Sequence, residues 1–328
     1  MLISDQMSAV VAEGTGGPGV LRLVAVPTPR PAAGEVLIKV AAAGVNAPDL
    51  AQRRGAYPPP AGASPLLGLE VSGRVVVPAG EWAEGDKVVA LCNGGGYAEY
   101  VAVPAGQVLP APSGWDLADA AALPEGWFTV TQTLVMRAGL SAGMSVLITG
   151  AAGGLGGAAI QIARILGADP IAVVSSLNKA DYATSLGARA VIRRDRDNIL
   201  ARIRQLTDGK GVDRVLDMIG GEATPELIEG LARFGHLVVV ATLSGPRSSL
   251  PMNRILGNQL TVSGSTLRPQ SGEIKAAIAA HLRTRLWPAL SDPALPRPTI
   301  QRLPLAEAAE AHRTMENPRH LGKIVLVP

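Results

Sequence analysis

The sequence predicts an α/β protein of two parts, an all-β barrel-like domain followed by a doubly wound parallel sheet. Three observations predict it. Residues 1–118 carry short apolar runs broken by turns, as strands do. From residue 145 onward, strand-like and helix-like segments alternate at the spacing of right-handed crossovers. At the head of that second region, SVLITGAAGGLGGAAIQIARILGA (145–168) reads as buried strand, tight glycine turn and amphipathic helix.

The first part is rich in Gly, Pro and Val. Its strands are expected in GEVLIKVAAAGVN, LEVSGRVVV, DKVVALC and YAEYVAVP, with turns at Pro78-Ala79-Gly80 and Gly85-Asp86. Between the first two lies AGVNAPDLAQRRGAYPPPAGASPLLGLE. Its proline cluster, Pro58 to Pro60, argues against regular structure, and a long irregular loop in a compact domain usually carries function. From Leu117 the chain turns helical, DLADAAALPEGWFTVTQTLVMRAGL, with a break near Pro124.

In the glycine turn, Val146-Leu147-Ile148 suits a strand buried on both faces. Ala151, Gly153 and Gly156 fall on the spacing of the dinucleotide-binding fingerprint, with alanine at the first glycine position. Gly153 admits a pyrophosphate close to the backbone, and Gly156 lets helix and strand pack tightly. Amides at the helix N-terminus point at the phosphates, and the dipole favours their charge. Ala151, Gly153, Gly154, Leu155 and Gly156 are therefore candidate cofactor contacts. Further units follow: IAVVSS (strand), KADYATSLGA (helix), AVI (strand), NILARIRQLTDG (helix), VDRVLDMIG (strand), TPELIEGLARFG (helix), HLVVVAT (strand), MNRILGN (helix) and LTVSGST (strand). The tail holds a helix, EIKAAIAAHLRTRLW, and a last strand, GKIVLVP, expected to return to the first sheet. The expected division is 1–118 with 268–328, and 119–267.

Composition narrows the function. With 47% hydrophobic and 17% charged residues among 328, the chain is globular rather than disordered. A net charge of +3 without a Lys/Arg block speaks against a nucleic-acid partner. The single cysteine, Cys92, excludes a disulfide framework or a cysteine-rich zinc site. No apolar run of about 18 residues would span a membrane, and the N-terminus does not read as a signal peptide, so the cytoplasm is the expected compartment.

The order of these segments resembles the medium-chain dehydrogenase/reductase superfamily, and most of all its zinc-free, zeta-crystallin-type NADPH:quinone oxidoreductases. GEVLIKVAAAGVNAPDLAQRRGAY, LGLEVSG, GDKVVAL, GGGYAEYVAVP, AAALPEGWFTV, the glycine turn, VLDMIGG and GKIVLVP carry the resemblance nearly end to end. It implies a GroES-like β-barrel domain and a Rossmann domain, an active site in the cleft between them, and a homodimer joined edge to edge through the Rossmann sheets. The zinc-dependent members hold their metal with Cys, His and a further Cys or acid. Here the matching segments place Asn46 and Leu69 where ligands would be, and all four histidines lie far along the chain. Glu70 survives, and its plain reading is a structural partner for nearby backbone or an arginine.

For the cofactor, NAD-selective folds place an acid about 20 residues after the glycines. This chain has Ser175-Ser176 there, followed by Asn178 and Lys179, so a 2′-phosphate is not repelled and NADPH is expected. Arg194 stands at the next strand end, where the family often has a tyrosine, and adds positive charge. The alternative is that Lys179 and Arg194 are solvated surface charges.

By resemblance, Asn46 lies near the nicotinamide ribose, Thr129 near the nicotinamide end, Arg268 in a segment approaching the cofactor, and Tyr57 near the acceptor. Asn46 and Tyr57 are the catalytic candidates. Tyr57 is either a proton or hydrogen-bond donor to the reduced oxygen or an aromatic wall. Asp49 is expected to cap the helix that follows it. Trp127 and Phe128 are expected in the core or lining the cleft, and Gly94-Gly95-Gly96 is expected to be a turn.

The expected activity is reduction of a small-molecule quinone or similar conjugated carbonyl. One alternative is an enone or 2-enoyl thioester reductase, for which Arg53, Arg54 and Arg268 would form a basic rim. Another is a non-enzymatic NADPH-binding protein. The missing thiolate and imidazole ligands predict that metal analysis of the purified protein finds well below one zinc per chain and that EDTA leaves turnover unchanged; about one zinc per chain would overturn that expectation.

Overall fold

The computed structural model of the chain describes residues 3–328. The chain divides into two compact units. The first is Met1–Phe128, Arg268–Pro293 and Thr299–Pro328; the second is Thr129–Leu267 and Ala294–Pro298. Residues 119–128, expected from the sequence in the nucleotide-binding part, fall in the first unit. Ala121 and Ala122 explain this, because they are buried against Ala42 and Val325.

The first unit opens with a hairpin of β1 (Gln6–Ala12) and β2 (Leu21–Pro27), joined by a loop too long and glycine-rich to announce a hairpin locally. Strand β3 (Glu35–Gly44) is central to the main sheet. It pairs antiparallel with β4 (Glu70–Val77) and with β6 (Tyr100–Pro104). Strands β5 (Lys87–Leu91) and β7 (Val108–Pro110) extend the sheet beyond β4. Alternate residues of these strands, including Val36, Ile38, Val71, Val75, Val88 and Ala90, meet in one core. The segment between β3 and β4 is not wholly irregular: α1 (Ala47–Arg53) begins there, with Pro48 in its first turn. Helices α2 (Leu117–Ala120) and α3 (Pro124–Val130) follow β7. Trp127 and Phe128 on α3 are core residues, Trp127 packing edge-on against Trp287 at 5.7 Å.

The second unit alternates β8 (Ser145–Thr149), α4 (Gly154–Ile165), β9 (Asp169–Val174), α5 (Leu177–Ser185), β10 (Ala190–Arg193), α6 (Ile199–Leu206), β11 (Val212–Asp217), α7 (Thr224–Glu229), β12 (Leu231–Val239), α8 (Met252–Asn258) and β13 (Thr261–Gly264). All the strands are parallel, in the order β10-β9-β8-β11-β12-β13. The order reverses between β8 and β11, the switch point outside which such sheets bind nucleotides. The sequence pattern extends the helix at 224–235 too far. It ends at Glu229, and Leu231, fully buried, already pairs with Val212. A register shift and the positive φ of Phe234 bend this first part of β12, which hides its strand character.

The tail contributes α9 (Gly272–His281), β14 (Ile300–Pro304), α10 (Ala308–Glu316) and β15 (Lys323–Val327) to the first unit. Strand β15 lies antiparallel to β3, and β14 runs parallel to β15.

Candidate active site

In the first unit the end of β3 leads straight into Asn46, whose extended backbone starts α1. The helix starts at Ala47 with Asn46 as its N-cap, so Asp49 lies within the first turn rather than ahead of the helix as expected; its carboxyl reaches back to accept from the Asn46 N–H at 2.9 Å and across to the Gly68 N–H at 2.9 Å. The Asn46 side chain is left for other partners. Its Nδ2 donates to Glu70 Oε1 at 2.8 Å, and its Oδ1 accepts from Lys323 Nζ at 2.8 Å. An ammonium on one side and a carboxylate on the other fix which way the amide points. Lys323 also pairs directly with Glu70, and both side chains are buried. The second Glu70 oxygen accepts from the Glu125 N–H at 2.8 Å, at the start of α3. Glu70 thus meets nearby backbone as expected, but its cation is a lysine of the last strand rather than an arginine. Gly44 makes room for it: a Cβ there would stand 2.1 Å from Glu70 Oε1.

Glu125 is the titratable group the sequence did not single out. Its carboxyl is pushed up to about 8, first by burial and then by the facing Glu70, so it carries its proton at neutral pH. It also raises the phenol of half-buried Tyr57, which burial has already lifted. Asp49 is pushed up to about 6 by burial, against the pull of its two amide donors and Lys323.

Arg268 braces the Tyr57 loop. Its Nη2 and Nε donate to the Asn93 carbonyl at 2.7 and 3.1 Å, its Nη1 donates to Gln52 Oε1 at 2.8 Å, and its guanidinium lies 5.6 Å over the Tyr57 ring. Gln52 closes the loop by donating to the Pro65 carbonyl. Lys275 donates to Asn93 Oδ1 and to the Arg268 carbonyl. The three arginines suggested as a basic rim are thus engaged. Arg53 is buried against Glu316, His312 and Gly16, and exposed Arg54 also pairs with Glu316.

In the second unit, α4 starts at Gly153 with no side-chain cap, so its first-turn amides are left to water or a ligand. A Cβ on Gly153 would find only the Gly150 carbonyl, at 3.6 Å, which leaves open space beside the turn. A Cβ on Gly156 would stand 2.5 Å from Ala151 Cα, so that glycine serves helix packing. Ala151 is buried, while Gly153, Gly154 and Leu155 are half-buried. Past β9, Ser175 and Ser176 are half-buried, and Ser176 starts α5 without capping it through its hydroxyl. Lys179 sits in the first turn of α5, with exposed Arg194 after β10. Among the described residues neither pairs with an acid, and burial together with Arg194 lowers the Lys179 pKa. Two uncompensated cations beside two free hydroxyls fit a phosphate monoester, and the open glycine turn fits a pyrophosphate; these residues therefore suit NADPH. Thr129 is half-buried, its carbonyl accepting from Thr133 Oγ1 just before a wider π-type turn at Thr131–Arg137. A cavity lined by Glu222, Ser244 and Arg247, which no motif marked, lies beyond the carboxyl ends of β11 and β12.

Among the described residues, no group of three or more His, Cys, Asp and Glu side chains is placed to hold a metal ion.

The fold defines a two-domain oxidoreductase of the GroES-like and Rossmann type. Residues 32–113 match the alcohol dehydrogenase GroES-like domain, and residues 154–282 match the zinc-binding dehydrogenase domain. The quinone oxidoreductase of Sus scrofa is 31% identical over 98% of both chains. A mycobacterial protein solved in complex with NADPH is 33% identical, with a TM-score of 0.85 over 98% of this chain and all of the other. The CurK enoyl reductase superposes with a TM-score of 0.84 at 26% identity, over 99% of each chain. The chain belongs to the quinone oxidoreductase family of the medium-chain dehydrogenases/reductases.

Proposed function

We propose that this oxidoreductase uses NADPH to reduce quinones or similar conjugated carbonyls, without a metal ion. The observation that carries the cofactor reading is the pair of cations, Lys179 and Arg194, standing without an acid partner among the described residues, beside Ser175 and Ser176. The site residues keep the roles implied by resemblance: Asn46 for the nicotinamide ribose, Thr129 for the nicotinamide end, and residues 151–156 for the pyrophosphate. Arg268 serves by holding the Tyr57 loop. Metal-free chemistry is supported by the donor set. Glu70 Oε1 and Asn46 Oδ1 are already bound to an ammonium, which would repel a cation placed beside it.

When bound, NADPH supplies the hydride. The protein's task is then to hold the acceptor and to neutralise the oxyanion or enolate that forms. Tyr57 offers a hydrogen bond from a phenol whose raised pKa keeps it protonated. Protonated Glu125, whose charge when it ionises raises the Tyr57 phenol further, is the source of the proton. Solvent restores it afterwards.

A second reading, reduction of simple enones, is favoured by the same acid, because a basic enolate needs a proton more than a hydroquinone anion does. CoA thioesters are disfavoured, since Arg53, Arg54 and Arg268 already have partners. A purely structural role would leave the acid at Glu125 and the phosphate-type cations without a use. A homodimer through the Rossmann sheet edge is supported by β13, the last strand of that sheet, and by exposed Leu243, Leu250, Met252 and Leu256 in the chain leading to it.

Lys179→Ala should weaken NADPH binding about tenfold or more, the scale of one charge-assisted contact, and leave NADH nearly unmoved; equal losses for both cofactors would remove Lys179 from phosphate recognition. Tyr57→Phe should lower enone turnover by about 10²-fold and turnover of a strongly oxidising quinone much less. In the parent protein enone turnover should fall as pH rises through about 8, where Glu125 loses its proton, and the fall should vanish in Glu125→Gln. Parental rates with both acceptors in Tyr57→Phe would reduce Tyr57 to a wall.

A further inference from the structure

Lys275 is a buried ammonium that forms no ion pair among the described residues. It stands in the first turn of α9 and is 1% exposed. Taking an ammonium out of water is costly, and the positive end of a helix dipole adds to that cost. Burial accordingly lowers its pKa. A methionine would fill the same space without the penalty, so the charge is explained by what it holds.

It holds two oxygens. Nζ donates to Asn93 Oδ1 at 2.5 Å and to the Arg268 carbonyl at 2.8 Å. Those two residues are themselves joined, because the Arg268 guanidinium donates twice to the Asn93 main-chain carbonyl. The three residues thus close a ring of hydrogen bonds. A third guanidinium bond, to Gln52 Oε1 at 2.8 Å, fixes the plane of the group. The Tyr57 ring lies under it, its centroid 5.6 Å from the guanidinium carbon.

The far side of the Tyr57 loop is tied to the same turn. The Gly95 N–H donates to the Leu66 carbonyl and the Tyr97 N–H to the Leu67 carbonyl. Gly94, at φ +133°, passes so close that a Cβ there would stand 2.6 Å from the Ser64 carbonyl oxygen. Gln52, on α1, donates to the Pro65 carbonyl. The loop is therefore clamped between the Asn93 turn and Arg268, and Lys275 grips both.

A cation over the face of a phenol favours the phenolate, so it makes the hydroxyl a stronger donor. Burial and Glu125 raise the Tyr57 phenol, and Arg268 pulls it back.

We propose that Lys275 is a positioning residue for reduction of the acceptor. By holding Asn93 and Arg268 together it keeps the guanidinium on the face of Tyr57, where the charge strengthens the hydrogen bond given to the reduced oxygen. The proposal rests on the reading of Tyr57 as that donor. The acceptors that need it are those whose reduced oxygen is most basic, enones before strongly oxidising quinones.

A cycle of Lys275→Met, Tyr57→Phe and the double variant tests it, assayed at saturating NADPH with cyclohex-2-enone and with 1,4-benzoquinone. Lys275→Met should lower enone kcat/KM about tenfold, the scale of one charge-assisted hydrogen bond, and leave the quinone rate within about twofold. In the Tyr57→Phe background the same change should cost nothing further. Asn93→Ala removes one of the two oxygens, keeps the main-chain carbonyl for Arg268, and takes the place of Lys275→Met if that variant does not fold. Equal losses with both acceptors would overturn the proposal, because they would report a general loss of structure. So would additive losses in the double variant, or a parental enone rate without the Lys275 contact while Tyr57→Phe loses it. A parent inactive toward the enone would also overturn it, since the strengthened donor would serve no acceptor that needs it. A parental enone rate in Tyr57→Phe itself would remove the reading of Tyr57, and this proposal with it.

Discussion

The first unit depends on one buried ion pair, Glu70 with Lys323. Neither side chain has ready access to water, so each charge is tolerable only because the other is there and because further hydrogen bonds finish its coordination. Glu70 takes the Asn46 amide and the Glu125 N–H; Lys323 takes the Asn46 carbonyl oxygen and the Val45 carbonyl. Strands β4 and β15 and the N-termini of α1 and α3 are thereby tied at one point. Such a pair contributes little net stability compared with apolar packing, but it fixes geometry, because no other arrangement satisfies both charges.

Two consequences reach the chemistry. The Asn46 amide is held in one orientation, its Nδ2 donating to Glu70 and, at 3.5 Å, to the Gly44 carbonyl. The second carboxyl brought to the pair, Glu125, forms no ion pair among the described residues, and burial and the facing Glu70 keep its proton on. A neutral acid beside Tyr57 is what a site needs if it must protonate a reduced carbonyl without a metal. The Glu70 carboxylate that fixes Asn46 therefore also adds to the burial that keeps Glu125 protonated.

The fold was largely legible because its signals are local. Strand, glycine turn and helix follow one another within 145–168, and each later crossover repeats a period that neighbouring residues declare. The failures were local ambiguities, such as the bent start of β12 and the hairpin behind a long loop. The glycine turn and the Ser175–Lys179 segment could be placed by counting. Lys323, His312 and Glu125 could not, since each acquires meaning only from residues 55 to 278 positions away. The basic rim failed for the same reason: Arg53 and Arg54 look free in the sequence until Glu316 is brought to them. Asp49 was readable as part of a helix start, though one turn too late: the N-cap is Asn46, and Asp49 reaches back to it from within the helix.

The central claim is that Glu70 and Lys323 act as one unit. A double-mutant cycle on unfolding free energy, using Glu70→Gln, Lys323→Met and the double variant, tests it most directly. Each single change strands a buried polar group and should cost about 3–5 kcal/mol, while the double variant should cost far less than the sum. Additive costs would contradict the claim and leave Asn46 without its anchor.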